Sequence, residues 1–481
     1  MGGFGQLFAP GATFLPPLDL VYLTSYLAER EAPFEVFECL GLELTKELLI
    51  EKIASIPGAD RGLLVVRTSA PTLDWDLSVC QEIKAAVGNL RILVYGPVVS
   101  QVVKRIQQEG CVDYLIKGDP DESVYALAQG QAEPEIPGLS YRGATGWQDN
   151  PTQPFIKELD KLPFPKWELL PYEKYRLPKS STESELSFLP VWSSRGCPIG
   201  CHYCPYPVGQ GLPWRFRSAM NVVDEIEHLV NDLKIQYILF RDPMFSLNQQ
   251  RVIQICDEIT RRGIQVKWRC ETRVDFLKEE TLRAMARAGC DGINFGVESA
   301  DVEIQVKSGR RPIKQEQFLA SLALCRELGI KTFAFFIIGL PGDTVEIALK
   351  TIRFAVEMKP NWVQFTAASP FIGTKLRDWA IAQGLVEPDD RAYVNSHQVM
   401  IGNGNLTKEQ VGSLYRLARF LQNFLLNRKG ILKDDHRHSA MYRTAKSAAD
   451  LTSDLAARAT LSIAGYWLKR TLATGGSERA A

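Results

Sequence analysis

The 481-residue chain reads as an α/β protein with three parts: a doubly wound, Rossmann-like parallel sheet, then a partial (β/α)6 barrel of the TIM type, then a helical C-terminal region. Three observations predict this. Short apolar runs alternate with amphipathic stretches from about Pro16 to Tyr141, the pattern of buried parallel strands separated by helices. Longer strand–helix units follow from Phe188 to about Leu385, and beyond that the apolar spacing becomes mostly helical.

Length and composition frame these elements. A chain this long exceeds what one core usually accommodates, so more than one domain is expected. Apolar residues make up 45% and charged residues 23%, as in ordinary globular proteins. Lys plus Arg equals Asp plus Glu at 56 each, so no bulk field draws the chain to nucleic acid or to an anionic membrane. No run approaches the roughly 18 to 20 apolar residues of a bilayer span, and no basic segment precedes an apolar one at the N-terminus. A cytoplasmic location is expected. The 10 cysteines are too dilute for a disulfide framework, and Cys39, Cys80, Cys111, Cys256, Cys270, Cys290 and Cys325 each stand alone in sequence.

In chain order, residues 1–145 form the first unit, with strands at 34–38, 63–67, 92–95 and 114–116. A ligand of such a sheet sits beyond the strand C-termini, here at Thr68-Ser69, Gly96-Pro97 and Lys117-Gly118-Asp119. Turn formation is the commoner fate of such glycines and hydroxyls. Residues 146–187 are proline-rich and read as a linker. Residues 188–385 carry six strands, at 189–193, 237–240, 266–269, 292–295, 332–338 and 362–366, and such barrels place chemistry at strand C-termini. Residues 386–481 end in an apolar stripe of Leu451, Leu455, Ala459 and Ile463. That stripe is either core packing or a peripheral membrane contact.

Just past the first barrel strand stands Arg195-Gly-Cys197-Pro-Ile-Gly-Cys201-His-Tyr-Cys204-Pro. Three thiolates on a Gly- and Pro-containing loop can curl round one metal centre, because thiolate is the preferred soft ligand of iron–sulfur clusters and of zinc. A structural zinc site needs a fourth ligand, for which His202 is the neighbour at hand. A ferredoxin-type electron carrier uses a fourth cysteine, and none lies near. Inert buried thiols are the remaining alternative.

The CxxxCxxC spacing, with Tyr203 before the last cysteine, resembles the radical S-adenosylmethionine (SAM) superfamily over about Phe188 to Leu385. The resemblance implies that Cys197, Cys201 and Cys204 ligate three irons of a 4Fe-4S cluster, leaving the fourth iron open to SAM, with Tyr203 beside the cofactor. It places Asp242, in PheArgAspPro at the second strand end, at the methionine amino group, where turn capping is the plain alternative. Glu298, in GlyValGluSer at the fourth strand end, falls at a SAM-contacting position, unless it pairs with Arg269 or Arg273. Gly339, ending the fifth strand, falls beside the adenine, where a glycine permits close backbone approach.

ProProLeuAspLeu at 16–20, TyrGlyProValValSer at 95–100, IleLysGlyAspPro at 116–120 and LeuProPheProLysTrp at 162–167 look like the cobalamin-binding-type domain that precedes many radical SAM barrels. On that resemblance Thr68, Ser69, Gly96 and Gly118 lie near a corrin. The histidine motif for the lower cobalt ligand is absent, as no histidine occurs before His202. MetGlyGlyPheGlyGlnLeuPheAlaProGly stands where a first strand is expected. Cys39, Cys80 and Cys111 invite comparison with the second cluster of methylthiotransferases, but their places in the pattern do not converge on one edge. The implied activity is a radical SAM enzyme, foremost a cobalamin-dependent C-methyltransferase acting on a small-molecule or lipid substrate with a flavodoxin-type reductase as electron donor. The alternatives are a radical cyclase or rearrangement enzyme and, last, an iron–sulfur electron carrier.

Overall fold

The computed structural model describes residues 16–151, 155–175, 186–388 and 398–422. The glycine-rich start of the chain and the stripe around Leu451 lie outside them. The first sheet runs β1 (Leu63–Arg67), β2 (Arg91–Tyr95), β3 (Tyr114–Ile116), β4 (Leu139–Gly143) and β5 (Gly146–Asp149), side by side in that order. Strands β1 to β3 are parallel. Side chains alternate between two cores: Ile92 and Val94 join the face covered by Leu73 and Leu77, whereas Leu93 and Tyr95 join the face covered by Leu23, Leu27, Val124 and Leu127. Burial on both faces is why these strands are continuously apolar.

The sequence reading departs from the structure here at two places. Residues 34–38 form no strand. Phe34, Val36 and Phe37 each pack against a different apolar cluster, so the alternation serves side-chain packing and not a ladder. The sheet also gains an antiparallel hairpin, β4 with β3 and β5 with β4, that carries it on to Asp149.

The second sheet opens with β6 (Phe188–Val191), after which β7 (Ser194–Arg195) and β8 (Arg215–Phe216) make a small antiparallel pair. It continues through β9 (Tyr237–Phe240), β10 (Lys267–Thr272), β11 (Cys290–Glu298), β12 (Lys331–Ile338) and β13 (Trp362–Ala367). The spatial order is β13-β12-β11-β10-β9-β6 with every neighbouring pair parallel, so six strands form a partial barrel. Helices connect them, begun by N-caps such as Ser218, Asn248 and Thr344, whose side chains accept from a backbone N–H three residues on. One sheet face, with Cys270, Phe295, Phe336 and Phe365, joins the main core. By strand alternation the other face carries Glu271, Asn294, Gly296, Glu298, Phe335, Gln364 and Thr366, all half-buried.

Two elements tie the parts together. The helix Leu18–Glu29 gives Leu18, Val21, Tyr22 and Tyr26 to the barrel core and Leu23 and Leu27 to the first sheet. The helix Lys408–Leu421, capped by Thr407 and Gln410, lays Val411, Leu414 and Ala418 on the barrel core, and Gln422 accepts from Phe365 N at 2.8 Å. No described helix is long and apolar enough to cross a membrane.

Candidate functional site

The cysteine loop springs from the β7–β8 pair. Gly196 precedes it at φ +81°, where an added Cβ would stand 2.1 Å from the Pro213 carbonyl oxygen, so only glycine fits. Gly196 N donates to Gln210 Oε1 at 3.1 Å and Cys197 N to the Gly211 carbonyl at 3.2 Å, which clamps the loop's entry. Its exit is held elsewhere: His202 N donates to Ser308 O and Leu376 N to His202 O, each at 2.9 Å. The His202 imidazole lies against Gly309, leaving no room for a Cβ there.

All three thiols are free, Cys197 buried and Cys201 and Cys204 half-buried. Burial pushes each thiol above its ordinary range; Cys201 adds to the rise at Cys197, and Cys201 and Cys197 add to it at Cys204. The guanidinium groups of Arg310 and Arg273 oppose this at Cys201. Among the described residues no three His, Cys, Asp or Glu side chains close to single-ion distances. Three soft thiols on one loop, with the guanidinium groups of Arg310 and Arg273 acting on Cys201, suit a cluster that takes one thiolate per iron.

Tyr203 leads into the barrel mouth. Arg310 Nη1 donates to Tyr203 Oη at 2.6 Å and to Glu298 Oε1 at 2.8 Å, while Nη2 donates to Gly296 O at 2.9 Å. Glu298 sits at a register shift in β11 with φ +65°, a left-handed backbone that re-aims its side chain toward Arg310. Burial raises its carboxyl against the opposing pull of Arg310. The ion-pair partner of Glu298 is Arg310; Arg269 stacks on Phe333 at 3.8 Å and Arg273 pairs with Asp275 at 2.9 Å. Arg310 was missed in the sequence because a turn brings it back from twelve residues downstream.

Two other strand-end residues prove structural. Asp242 is fully buried and accepts from Ser193 N at 2.8 Å and from the Ser193 and Ser194 hydroxyls at 2.6 Å each. Its carboxylate therefore locks β6 to β9, which is the capping alternative and not a group presented to a ligand. At Gly339 the close neighbour is a helix, since a Cβ would meet Val411 Cγ1 at 2.5 Å. Polar groups on the inner face lie beside these positions. Arg241 Nη1 contacts Glu271 at 2.8 Å, Tyr206 Oη lies 3.5 Å from the same carboxylate, and Asn294, in register with Glu271, keeps a buried Oδ1 without a partner.

A second feature is a cleft between the two sheets. Tyr95, Gly96, Gly118 and Asp121 line it from the first sheet, and Trp192, Arg195 and Gly209 from the barrel. Gly96 has φ +143° and stands so close to Thr68 that a Cβ would meet its carbonyl oxygen at 2.1 Å; Gly118 has φ +113°. Both present bare backbone. Tyr95 Oη is buried without a partner. Burial pushes the Asp121 carboxyl up to about 7 with Arg195 opposing. Thr68 and Ser69 do not contribute hydroxyls to the cleft: Thr68 donates to Asp76 at 2.8 Å and Ser69 shares a 2.9 Å bond with Thr72.

Comparison with known proteins agrees with this geometry. The model of the radical SAM superfamily matches residues 193–355, the span from the cysteine loop to the fifth barrel unit. An uncharacterized methyltransferase of Pyrococcus horikoshii is 30% identical over 429 residues, 88% of this chain and 90% of that protein. The chain belongs to the radical SAM superfamily. It is thus a radical SAM enzyme, and the family's cofactors are SAM and a 4Fe-4S cluster. A cytidylyl-2-hydroxyethylphosphonate methyltransferase of Streptomyces wedmorensis is 27% identical over 65% of this chain and 62% of its own length. Among solved structures, the radical SAM methyltransferase TsrM from Kitasatospora setae, with cobalamin and a [4Fe-4S] cluster bound, superposes with a TM-score of 0.64 at 20% identity, covering 77% of this chain and 76% of that one. The cobalamin-dependent radical SAM enzyme OxsB, with aqua-cobalamin and SAM bound, gives 0.71 at 16% identity over 92% and 70%. At these identities the likeness is one of fold.

Proposed function

We propose that this radical SAM enzyme is a cobalamin-dependent C-methyltransferase acting on an unactivated carbon. The observation that carries the reading is the cleft, walled on one side by the strand ends of the first sheet and on the other by the residues that lead into the cysteine loop. Cys197, Cys201 and Cys204 would hold the cluster, and Gly96, Gly118 and Tyr95 would meet a corrin through backbone and one hydroxyl. When bound, the cluster supplies the electron that cleaves SAM to methionine and a hydrogen-abstracting 5′-deoxyadenosyl radical, and cobalamin supplies the methyl group.

The chain's own part is binding, orientation and exclusion of water. Arg310 holds Tyr203 and Glu298 at the mouth, and the Arg241–Glu271–Tyr206 network and Asn294 offer polar groups to SAM or substrate on the inner face. The expected outcome after anaerobic purification with cobalamin supplied during expression is about one cobalt per chain. Protein that carries a full cluster and no cobalt would instead favour the second reading, a radical cyclase. That reading is supported by 26% identity over 73% of this chain to the anaerobic magnesium-protoporphyrin IX monomethyl ester cyclase of Rubrivivax gelatinosus, 64% of which is covered.

A further inference from the structure

Where the two sheets meet, one carboxylate faces two guanidinium groups. Asp119 follows Gly118 just beyond β3, and its oxygens stand 3.3 Å from Arg195 Nη1 and 2.8 Å from Arg215 Nη1. The N–H of Ile156 donates to the same carboxylate at 3.0 Å. The side chains are 12%, 6% and 5% exposed for Asp119, Arg195 and Arg215, so water screens the charges poorly. Arg195 ends β7, two residues before Cys197. Arg215 opens β8, and its Nη2 donates at 3.0 Å to the Gln210 carbonyl, next to the Gly211 carbonyl that holds Cys197 N. Both strands from which the cysteine loop springs are thus gripped at their feet by a residue of the other sheet, and that residue also lines the cleft.

We infer that Asp119 is a positioning residue and countercharge for the cysteine loop, fixing the loop against the cleft and setting the electrostatic potential at Cys197, Cys201 and Cys204. The inference rests on the reading of those cysteines as cluster ligands. An ion pair this buried is held together by its partners, and removing one charge leaves the others uncompensated. With Asp119 neutralised, two positive charges remain beside the loop and favour the reduced, more negative cluster. With Arg195 neutralised, the balance moves the other way. A mere packing defect has no reason to give opposite signs.

The test is an EPR-monitored redox titration of the anaerobically reconstituted full chain, without SAM or cobalamin. Asp119→Asn should move the cluster midpoint potential in the positive direction and Arg195→Gln in the negative direction. Asp119→Glu should return it to the wild-type value, all with iron content near that of the wild type. Shifts of the same sign in Asp119→Asn and Arg195→Gln, or no shift in either with iron retained, overturn the inference. Should Asp119→Asn fail to load iron, the sign in Arg195→Gln still decides, because Asp119 keeps its partner Arg215 there. Wild-type protein that takes up no iron overturns the cluster reading itself.

Discussion

At the end of β1, Thr68 and Ser69 give their hydroxyls to Asp76 and Thr72, and Gly96 packs its bare backbone against the Thr68 carbonyl. At the ends of β10 and β11, by contrast, Glu271, Asn294 and Glu298 keep polar groups on the inner barrel face, held by Arg241 and Arg310 or left with an unpartnered oxygen. The first sheet closes the end of β1 upon itself and offers a ligand shape, backbone and the Tyr95 hydroxyl. The barrel offers charge and thiol ligation. A flat, bulky group suits the former, and a cluster with a charged cosubstrate suits the latter.

The largest effect expected at the barrel end comes from Cys201→Ala. Cluster absorbance should disappear and iron content fall to background, because the two remaining thiols cannot hold the cluster; iron retained at the wild-type level contradicts the ligand assignment. Next is Arg310→Met, which leaves the half-buried Glu298 carboxylate without its charged partner. Chemical denaturation should show a loss of about 3–5 kcal/mol, and a change within error would mean that the network carries no weight.

Asp343 tests burial without ligation. Its Oδ2 accepts from Gly339 N at 3.0 Å, its Oδ1 has no partner, and burial pushes its carboxyl up to about 7. The folded state therefore retains a proton that the unfolded state releases near the ordinary aspartate value of 3.8. Wild-type stability is penalised progressively as pH rises from there to about 7. Asp343→Asn removes that penalty, so its stability relative to wild type should climb by up to about 4 kcal/mol between acid and pH 8. A pH-independent difference in unfolding free energy contradicts this.

At the first sheet the effects are smaller. Gly96→Ala combines a positive φ with a carbonyl in the way, and a cost of about 1–3 kcal/mol is expected in denaturant melts, together with weakened uptake of hydroxocobalamin. Thr68→Val removes one internal hydrogen bond, worth about 1 kcal/mol, and should leave hydroxocobalamin affinity unchanged. A tenfold loss of affinity in Thr68→Val would erase the contrast between the two sheets and return the hydroxyl to the cofactor.

What was legible in the sequence follows the same division. The strands at 237–240, 63–67 and 114–116 coincide with β9, β1 and β3, because uninterrupted apolar runs have few other places to go. Residues 34–38 show the same alternation yet form no strand, since packing against three separate clusters produces the same pattern. The cysteine loop was legible because thiols at fixed spacing have few structural uses. Asp242, Thr68 and Ser69 hydrogen-bond within the fold and Gly339 lies against Val411, because caps and close helix approaches call for the same residue types as ligand contacts do. Arg310 carried no local signal and Asp119 only that of a strand-end turn: their importance arises from partners brought near by folding, Tyr203 and Glu298 for one, Arg195 and Arg215 for the other.

The most direct test of the central claim is 5′-deoxyadenosine formation by the anaerobically reconstituted protein with dithionite and SAM. Wild-type protein should produce it and Cys201→Ala should not. Wild-type protein holding an intact cluster yet forming no 5′-deoxyadenosine would contradict the assignment of the cysteine loop as the catalytic centre.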